Sequence, residues 1–306
     1  MITTEDVRAA AHRIGDRVRH TPVLRAGEAI WFKLEHTQHA GSFKTRGMLN
    51  QILAAAERGA LPDTGIIAAS GGNAGLAAAY AARELSVPAE VFVPTTAPAV
   101  KVAKLRKYGA RVVQAGNEYA EAYAAAVVRA HASGALFCHA YDDPQMVAGN
   151  GTLGLELLGQ VPSGFDTVLV AVGGGGLIAG VTAALRDTSR IVAVEPTTAA
   201  ALHEALRTGA PVDVPVAGVA ADSLGARRAG RIAFDLARDA GIGSVLVDDK
   251  AIIDARRRLW DEYRLAVEHG TAAAYAALTS GAYLPAPSER VVVLLCGANT
   301  NPADLA

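Results

Sequence analysis

The amino-acid sequence predicts an α/β fold in two lobes, with parallel-type sheets flanked by helices. Two observations carry this. Short apolar runs alternate with Ala-rich stretches of helical length, and strands that are apolar on both faces and separated by helices belong to parallel sheets. The chain has 306 residues, more than a single hydrophobic core usually gathers.

The elements follow in order. IIAAS (66–70) precedes NAGLAAAYAARELS, AEVFVP (89–94) precedes PAVKVAKLRKYG, and RVVQAG (111–116) precedes NEYAEAYAAAVVRAHASG. TVLVAVG (167–173) leads into GLIAGVTAALRD, RIVAVEP (190–196) leads into TAAALHEALRTG, and RVVVLLCG (290–297) lies near the end. Pro62, Gly65, Pro88, Pro94, Gly109, Gly116 and Gly134 punctuate the crossings. No repeat or low-complexity linker separates the lobes, so the chain is expected to cross between them more than once, with a site in the cleft.

Composition narrows the function. Lys plus Arg number 29 and Asp plus Glu number 30, a formal net charge of −1. This gives no electrostatic footprint for nucleic acid or an anionic membrane. Cys138 and Cys296 form no disulfide framework or zinc pair, which fits a reducing cytoplasm. The N-terminus is charged and helix-like, without the apolar stretch of a signal peptide. Residues 167–185 carry no charge and approach bilayer-spanning length. Gly173 to Gly176 would break a spanning helix, so a buried strand, a turn and a buried helix are expected.

Two glycine-rich turns stand out. Gly173, Gly174, Gly175 and Gly176 join a strand to a helix start. Close backbone approach and free N–H groups there suit an anion such as phosphate, although a tight turn alone also uses glycine. Gly174, Gly176 and Ala179 also imitate a dinucleotide fingerprint, with Glu195 at the end of the next strand. In the second turn, Ser70, Gly71, Gly72 and Asn73 suit either a carboxylate or an ordinary helix cap. Lys44 lies between Gly41-Ser42-Phe43 and Thr45-Arg46-Gly47. A lysine is usually a solvated charge, but one with a lowered pKa forms Schiff bases with aldehyde cofactors.

Together TPVL (21–24), FKLEHTQHAGSFKTRG (32–47), ASGGNAGLAAAYAA (69–82), FVPTTAP (92–98), DDP (142–144), VGGGGLIAGV (172–181), VAVEP (192–196) and LCGAN (295–299) run nearly end to end. In this order they resemble the fold-type II pyridoxal-phosphate enzymes, the tryptophan synthase β-like group. Within these, the chain resembles the serine/threonine dehydratases, the serine dehydratase branch in particular. The resemblance implies that Lys44 binds pyridoxal 5'-phosphate covalently and acts as the catalytic base. It places Phe43 along the cofactor ring, Asn73 at the ring hydroxyl, Gly173–Gly176 at the phosphate and Cys296 at the pyridine nitrogen. It also implies that Ser70, Gly71, Gly72 and Asn73 grip the substrate carboxylate. A thiol with an ordinary pKa of about 8.5 donates a weak hydrogen bond and keeps its proton, which favours loss of a β-hydroxyl over a long-lived carbanion. A buried structural cysteine is the plainer alternative.

The implied reaction is α,β-elimination of L-serine or L-threonine to pyruvate or 2-oxobutyrate and ammonia, a step of amino-acid catabolism in a cytoplasmic homodimer. Elimination on another β-substituted amino acid such as hydroxyaspartate, racemisation, a dinucleotide oxidoreductase and a silent binding homologue are the alternatives. Related racemases carry a serine where this chain has Gly71, so racemisation is expected to be poor. VAGVAADSLG (216–225) resembles a segment where some relatives bind a divalent cation, with Gly218 in place of an acidic residue and Asp222 retained. A structural cation near Asp222 or Glu195 is one expectation, and a strand-end role for Glu195 is the other. The sequence stops at Ala306, soon after CGAN, so the regulatory domain of biosynthetic threonine dehydratases and feedback by isoleucine are not expected. The large cofactor-binding lobe is expected to comprise residues 1–41 and 141–306, and the small mobile lobe residues 42–140.

Overall fold

The computed structural model describes residues 1–305. Its strands are β1 (Val23–Arg25), β2 (Ile30–Lys33), β3 (Ile66–Ala69), β4 (Ala89–Val93), β5 (Arg111–Gln114), β6 (Leu136–Phe137), β7 (Thr167–Ala171), β8 (Arg190–Pro196), β9 (Gly243–Val247) and β10 (Val291–Leu294). They form one sheet ordered β1-β2-β10-β7-β8-β9 and another ordered β5-β4-β3-β6. Every pairing is parallel except the edge pair β1 and β2. The first sheet takes strands from both ends of the chain, so no linker marks the passage between sheets.

The apolar strand runs have a direct cause. Val168 and Val170 face a core shared with helices Thr4–Ile14, Pro144–Gln160 and Gly176–Leu185. Their neighbours Leu169 and Ala171 face a second core, with helices Asp249–Tyr263 and His269–Thr279. Successive side chains leave opposite faces of a strand, and here both faces are covered. The segment 167–185 is a strand, a glycine turn and a helix, and among the described residues no helix is long and apolar enough to cross a membrane. Strands β1, β2, β6 and β9 fall outside the apolar runs read from the sequence. They are short or half-buried, so they lack a continuous apolar signal.

Two contacts fix the elements that carry the site. Helices Pro144–Gln160 and Gly176–Leu185 cross backbone to backbone: a Cβ on Gly180 would lie 2.4 Å from the Val147 carbonyl oxygen, and one on Gly151 would lie 2.5 Å from that of Gly180. Helix Lys44–Glu57 is held by a buried network of two cations and two carboxylates. Arg46 Nε donates to Glu35 Oε1 at 2.5 Å and Arg46 Nη1 to Glu156 Oε1 at 2.6 Å. Lys33 Nζ donates to Glu156 Oε2 at 2.6 Å, and Thr21 Oγ1 donates to Glu35 Oε2 at 2.6 Å. The guanidinium is pushed above its ordinary range because the two carboxylates outweigh burial.

Candidate active site

Lys44 opens its helix just beyond the C-terminal end of β10. Ser42 forms a bridge with Gly297, and the Phe43 N–H donates to the Cys296 carbonyl at 3.0 Å. Lys44 Nζ donates to the Ala140 carbonyl at 2.6 Å and sits 4.9 Å from the Phe43 ring centroid. The side chain keeps some surface open to the cleft, while its amine is packed round by protein atoms. That burial pulls the amine pKa down to about 8, against the opposing pull of Cys296 and Glu268.

Cys296 follows β10 and is buried, close enough to Lys44 to act on its amine. Its Sγ lies 3.3 Å from Thr271 Oγ1, and Thr271 Oγ1 donates in turn to the Gly297 carbonyl at 2.9 Å. Burial and the neighbouring Glu268 push the thiol pKa up to about 12. It is therefore protonated at neutral pH.

Asn73 arrives from the other sheet, at the start of helix Asn73–Glu84. Its Nδ2 donates to Glu268 Oε1 at 2.6 Å, and its Oδ1 accepts from Asn299 Nδ2 at 2.7 Å. Before it, the Gly72 N–H donates to Ser70 Oγ at 3.2 Å. A Cβ on Gly71 would meet Val93 Cγ1 at 3.6 Å and Lys101 Cδ at 3.9 Å. These are ordinary contacts, so the crowding that a side chain at this close-approach position would threaten is not found. Across the cleft, Lys101 Nζ pairs with Asp222 Oδ1.

Gly173–Gly176 join β7 to helix Gly176–Leu185. Gly175 has φ 90°, and a Cβ on Gly174 would lie 2.4 Å from the Tyr141 ring. Close packing thus accounts for part of the glycine run. Among the described residues, no backbone or side-chain group accepts from the N–H groups of Gly174, Gly175 or Gly176, which leaves them unpartnered at a helix N-terminus. Tyr141 follows Ala140, the acceptor for Lys44, which brings this loop to the same cleft.

Lys44, Phe43, Asn73, Cys296, the Ser70–Asn73 turn and the glycine run therefore converge. Other expectations are corrected. Glu195 is buried and accepts the N–H groups of Leu202 at 2.8 Å and His203 at 2.7 Å. The strand-end reading of Glu195 is therefore the one found, with the carboxylate satisfied by the first turn of helix Ala201–Thr208 rather than standing free for a ribose or a cation, and burial raises its pKa to about 7. Of the expected cation position, Asp222 pairs with Lys101, and Gly218 has the Asp249 carboxylate and Thr198 Oγ1 packed against it, each 2.6 Å from where a Cβ would lie. Among the described residues, no group of three or more His, Cys, Asp or Glu side chains is placed to hold a metal ion. Sequence reading missed Glu268, Thr271 and the Ala140 carbonyl, and left Asn299 without a role. The one available signal was Glu268 as a lone carboxylate in the apolar stretch LAVEHGTAAAYAAL (265–278).

Amines of this acidity attack carbonyls, and unpartnered N–H groups at a helix N-terminus hold phosphates. Both in one cleft place the fold among enzymes that carry a phosphorylated aldehyde on a lysine. Residues 14–297 match the pyridoxal-phosphate dependent enzymes, and the chain belongs to that family. The L-threonine ammonia-lyase of Geobacter sulfurreducens is 39% identical over 301 residues, 95% of this chain and 74% of that protein. The phenylserine dehydratase of Ralstonia pickettii is 37% identical over 308 residues, 96% of this chain and 92% of that protein. The structure of maize serine racemase matches with a TM-score of 0.91 at 30% identity, covering 99% of this chain and 95% of that chain.

Proposed function

We propose that the protein eliminates water and then ammonia from a β-hydroxy amino acid such as L-serine or L-threonine, giving pyruvate or 2-oxobutyrate. Lys44 would hold pyridoxal phosphate covalently, with Gly173–Gly176 at its phosphate, Phe43 along its ring and Asn73 at the ring hydroxyl. When bound, the cofactor supplies the electron-withdrawing ring that acidifies the substrate Cα–H bond. The free Lys44 amine would take that proton at Nζ. A pKa of about 8 keeps a useful fraction of the amine neutral under physiological conditions. The Ser70–Asn73 turn orients the substrate carboxylate. The small lobe, residues 42–140, closes over the substrate, and the enzyme works as a homodimer.

The observation that carries the reaction type is the buried Cys296 thiol beside Thr271, which burial keeps protonated at neutral pH. With the cofactor in place the S–H would turn from Thr271 Oγ1 to the ring nitrogen and donate without giving up its proton, which would leave the ring a weaker electron sink and favour departure of the β-hydroxyl. The likeness to a serine racemase favours racemisation as the second reading. Gly71 supports elimination over it, because no hydroxyl stands there to reprotonate the opposite face. The test is to incubate the holoenzyme with L-serine, L-threonine, hydroxyaspartate and β-phenylserine, assaying 2-oxo acids and enantiomers. Elimination predicts a 2-oxo acid and ammonia with little D-amino acid. Interconversion of serine enantiomers faster than pyruvate formation would overturn it.

A further inference from the structure

Asn73 is one link of a hydrogen-bond chain whose direction is fixed at both ends. At one end stands a backbone acceptor, the Ala40 carbonyl, which takes a hydrogen bond from Asn299 Nδ2 at 2.7 Å. Asn299 must therefore present its NH2 group, and the second hydrogen of that group goes to Asn73 Oδ1. That forces Asn73 to turn its own NH2 group toward Glu268, whose Oε1 accepts at 2.6 Å. An amide NH2 has two hydrogens, and among the described residues Asn73 Nδ2 has no second acceptor.

The chain's anchor points surround Lys44. Ala40 has φ 56°, a left-handed conformation that a residue with a Cβ rarely adopts, and it stands four positions before the lysine. A Cβ on Gly41 would lie 3.0 Å from Asn299 Oδ1, so the loop ahead of Lys44 is moulded to this asparagine. Glu268 is buried, with no cation among its hydrogen-bond partners. Burying a carboxyl group is costly unless it is hydrogen-bonded, and the Asn73 amide supplies that bond.

We infer that Glu268 is a positioning residue: with Asn299 it locks the Asn73 amide so that its free N–H points into the cleft as a fixed donor to the cofactor ring hydroxyl. Without the Glu268 acceptor the amide is free to rotate, and the donor is no longer preorganised. This rests on the reading that Asn73 meets the ring hydroxyl.

The experiment compares holoenzymes of the wild type, Asn73→Ala, Glu268→Gln, Glu268→Ala, Asn299→Ala and the Asn73→Ala/Glu268→Ala double variant. The readouts are the visible absorption band of bound pyridoxal phosphate and its dissociation constant. Asn73→Ala should shift the band and weaken retention about tenfold, the scale of one good hydrogen bond. Glu268→Ala should reproduce both changes, and the double variant should be no worse than Asn73→Ala alone. Glu268→Gln keeps an acceptor oxygen and should return the band toward wild type. If Asn73→Ala moves the band while Glu268→Ala does not, or if their effects add, the inference is overturned. If Asn73→Ala leaves the band unchanged, the ring-hydroxyl reading falls and the inference with it. Where Glu268→Ala folds poorly, Asn299→Ala removes the other jaw of the clamp, and an unshifted band in that variant likewise overturns the inference.

Discussion

Replacing Lys44 with methionine should stabilise the apoenzyme while abolishing elimination. The Lys44 amine has a pKa of about 8 in the folded protein, against an ordinary 10.5. At about 1.4 kcal/mol per unit, holding the charged amine in the recess costs roughly 3 kcal/mol at neutral pH. The surface left open to the cleft screens part of this. Methionine also forfeits the hydrogen bond to the Ala140 carbonyl, worth roughly 1 kcal/mol. The net gain expected for Lys44→Met at pH 7 is therefore about 1–2 kcal/mol. The sign follows from proton binding. Between pH 8 and 10.5 the folded wild type holds fewer protons at this site than the unfolded chain, so its stability rises with pH through that window. The advantage of the variant should shrink over the same window and reverse above it, where only the lost hydrogen bond, worth roughly 1 kcal/mol, remains. Urea unfolding of both apoproteins at pH 7 and pH 10 measures the difference, and groups common to both cancel. A variant less stable than wild type at pH 7, or an advantage that persists unchanged at pH 10, would refute the reasoning.

Arg46→Leu removes the guanidinium shared by Glu35 and Glu156 and should cost about 3–5 kcal/mol in urea unfolding; a loss under 1 kcal/mol would mean that the carboxylates find other partners. Gly180→Ala forces a methyl toward the Val147 carbonyl, and should lower stability by about 1–3 kcal/mol; an unchanged denaturation midpoint would show that the helices part freely. Gly71→Ser fits the space observed and should fold as wild type, while allowing some D-serine to form from L-serine. Chiral analysis in heavy water checks this, and a variant that gives only pyruvate would show that a hydroxyl at this position does not reach Cα.

The parallel sheets were legible because burial on both faces leaves a local mark. Val168 to Ala171 reads as apolar without interruption, and the glycines that follow announce the turn. The candidate site was legible in part for the same reason: Lys44, the Ser70–Asn73 turn and the glycine run each sit in a short distinctive string. What remained illegible was of two kinds. The dinucleotide-like spacing around Gly174 included Glu195, and only the helix start at Leu202 and His203 revealed that carboxylate as a cap. The edge strands β1 and β9 were too short or too exposed to show a pattern.

The sequence alone determined the α/β class, which depends on periodicity and turn chemistry within a few positions, and its ordered motifs carried the family resemblance that implied most of the residues converging in the cleft. Tertiary structure alone decided the partners and the acidities. Asn73 meets Glu268 across 195 positions and Asn299 across 226, distances over which no local pattern reports a contact. The Lys44 amine near pKa 8 and the Cys296 thiol near 12 arise from desolvation in the packed cleft, because charge is destabilised by what surrounds it in space rather than by its neighbours in the chain.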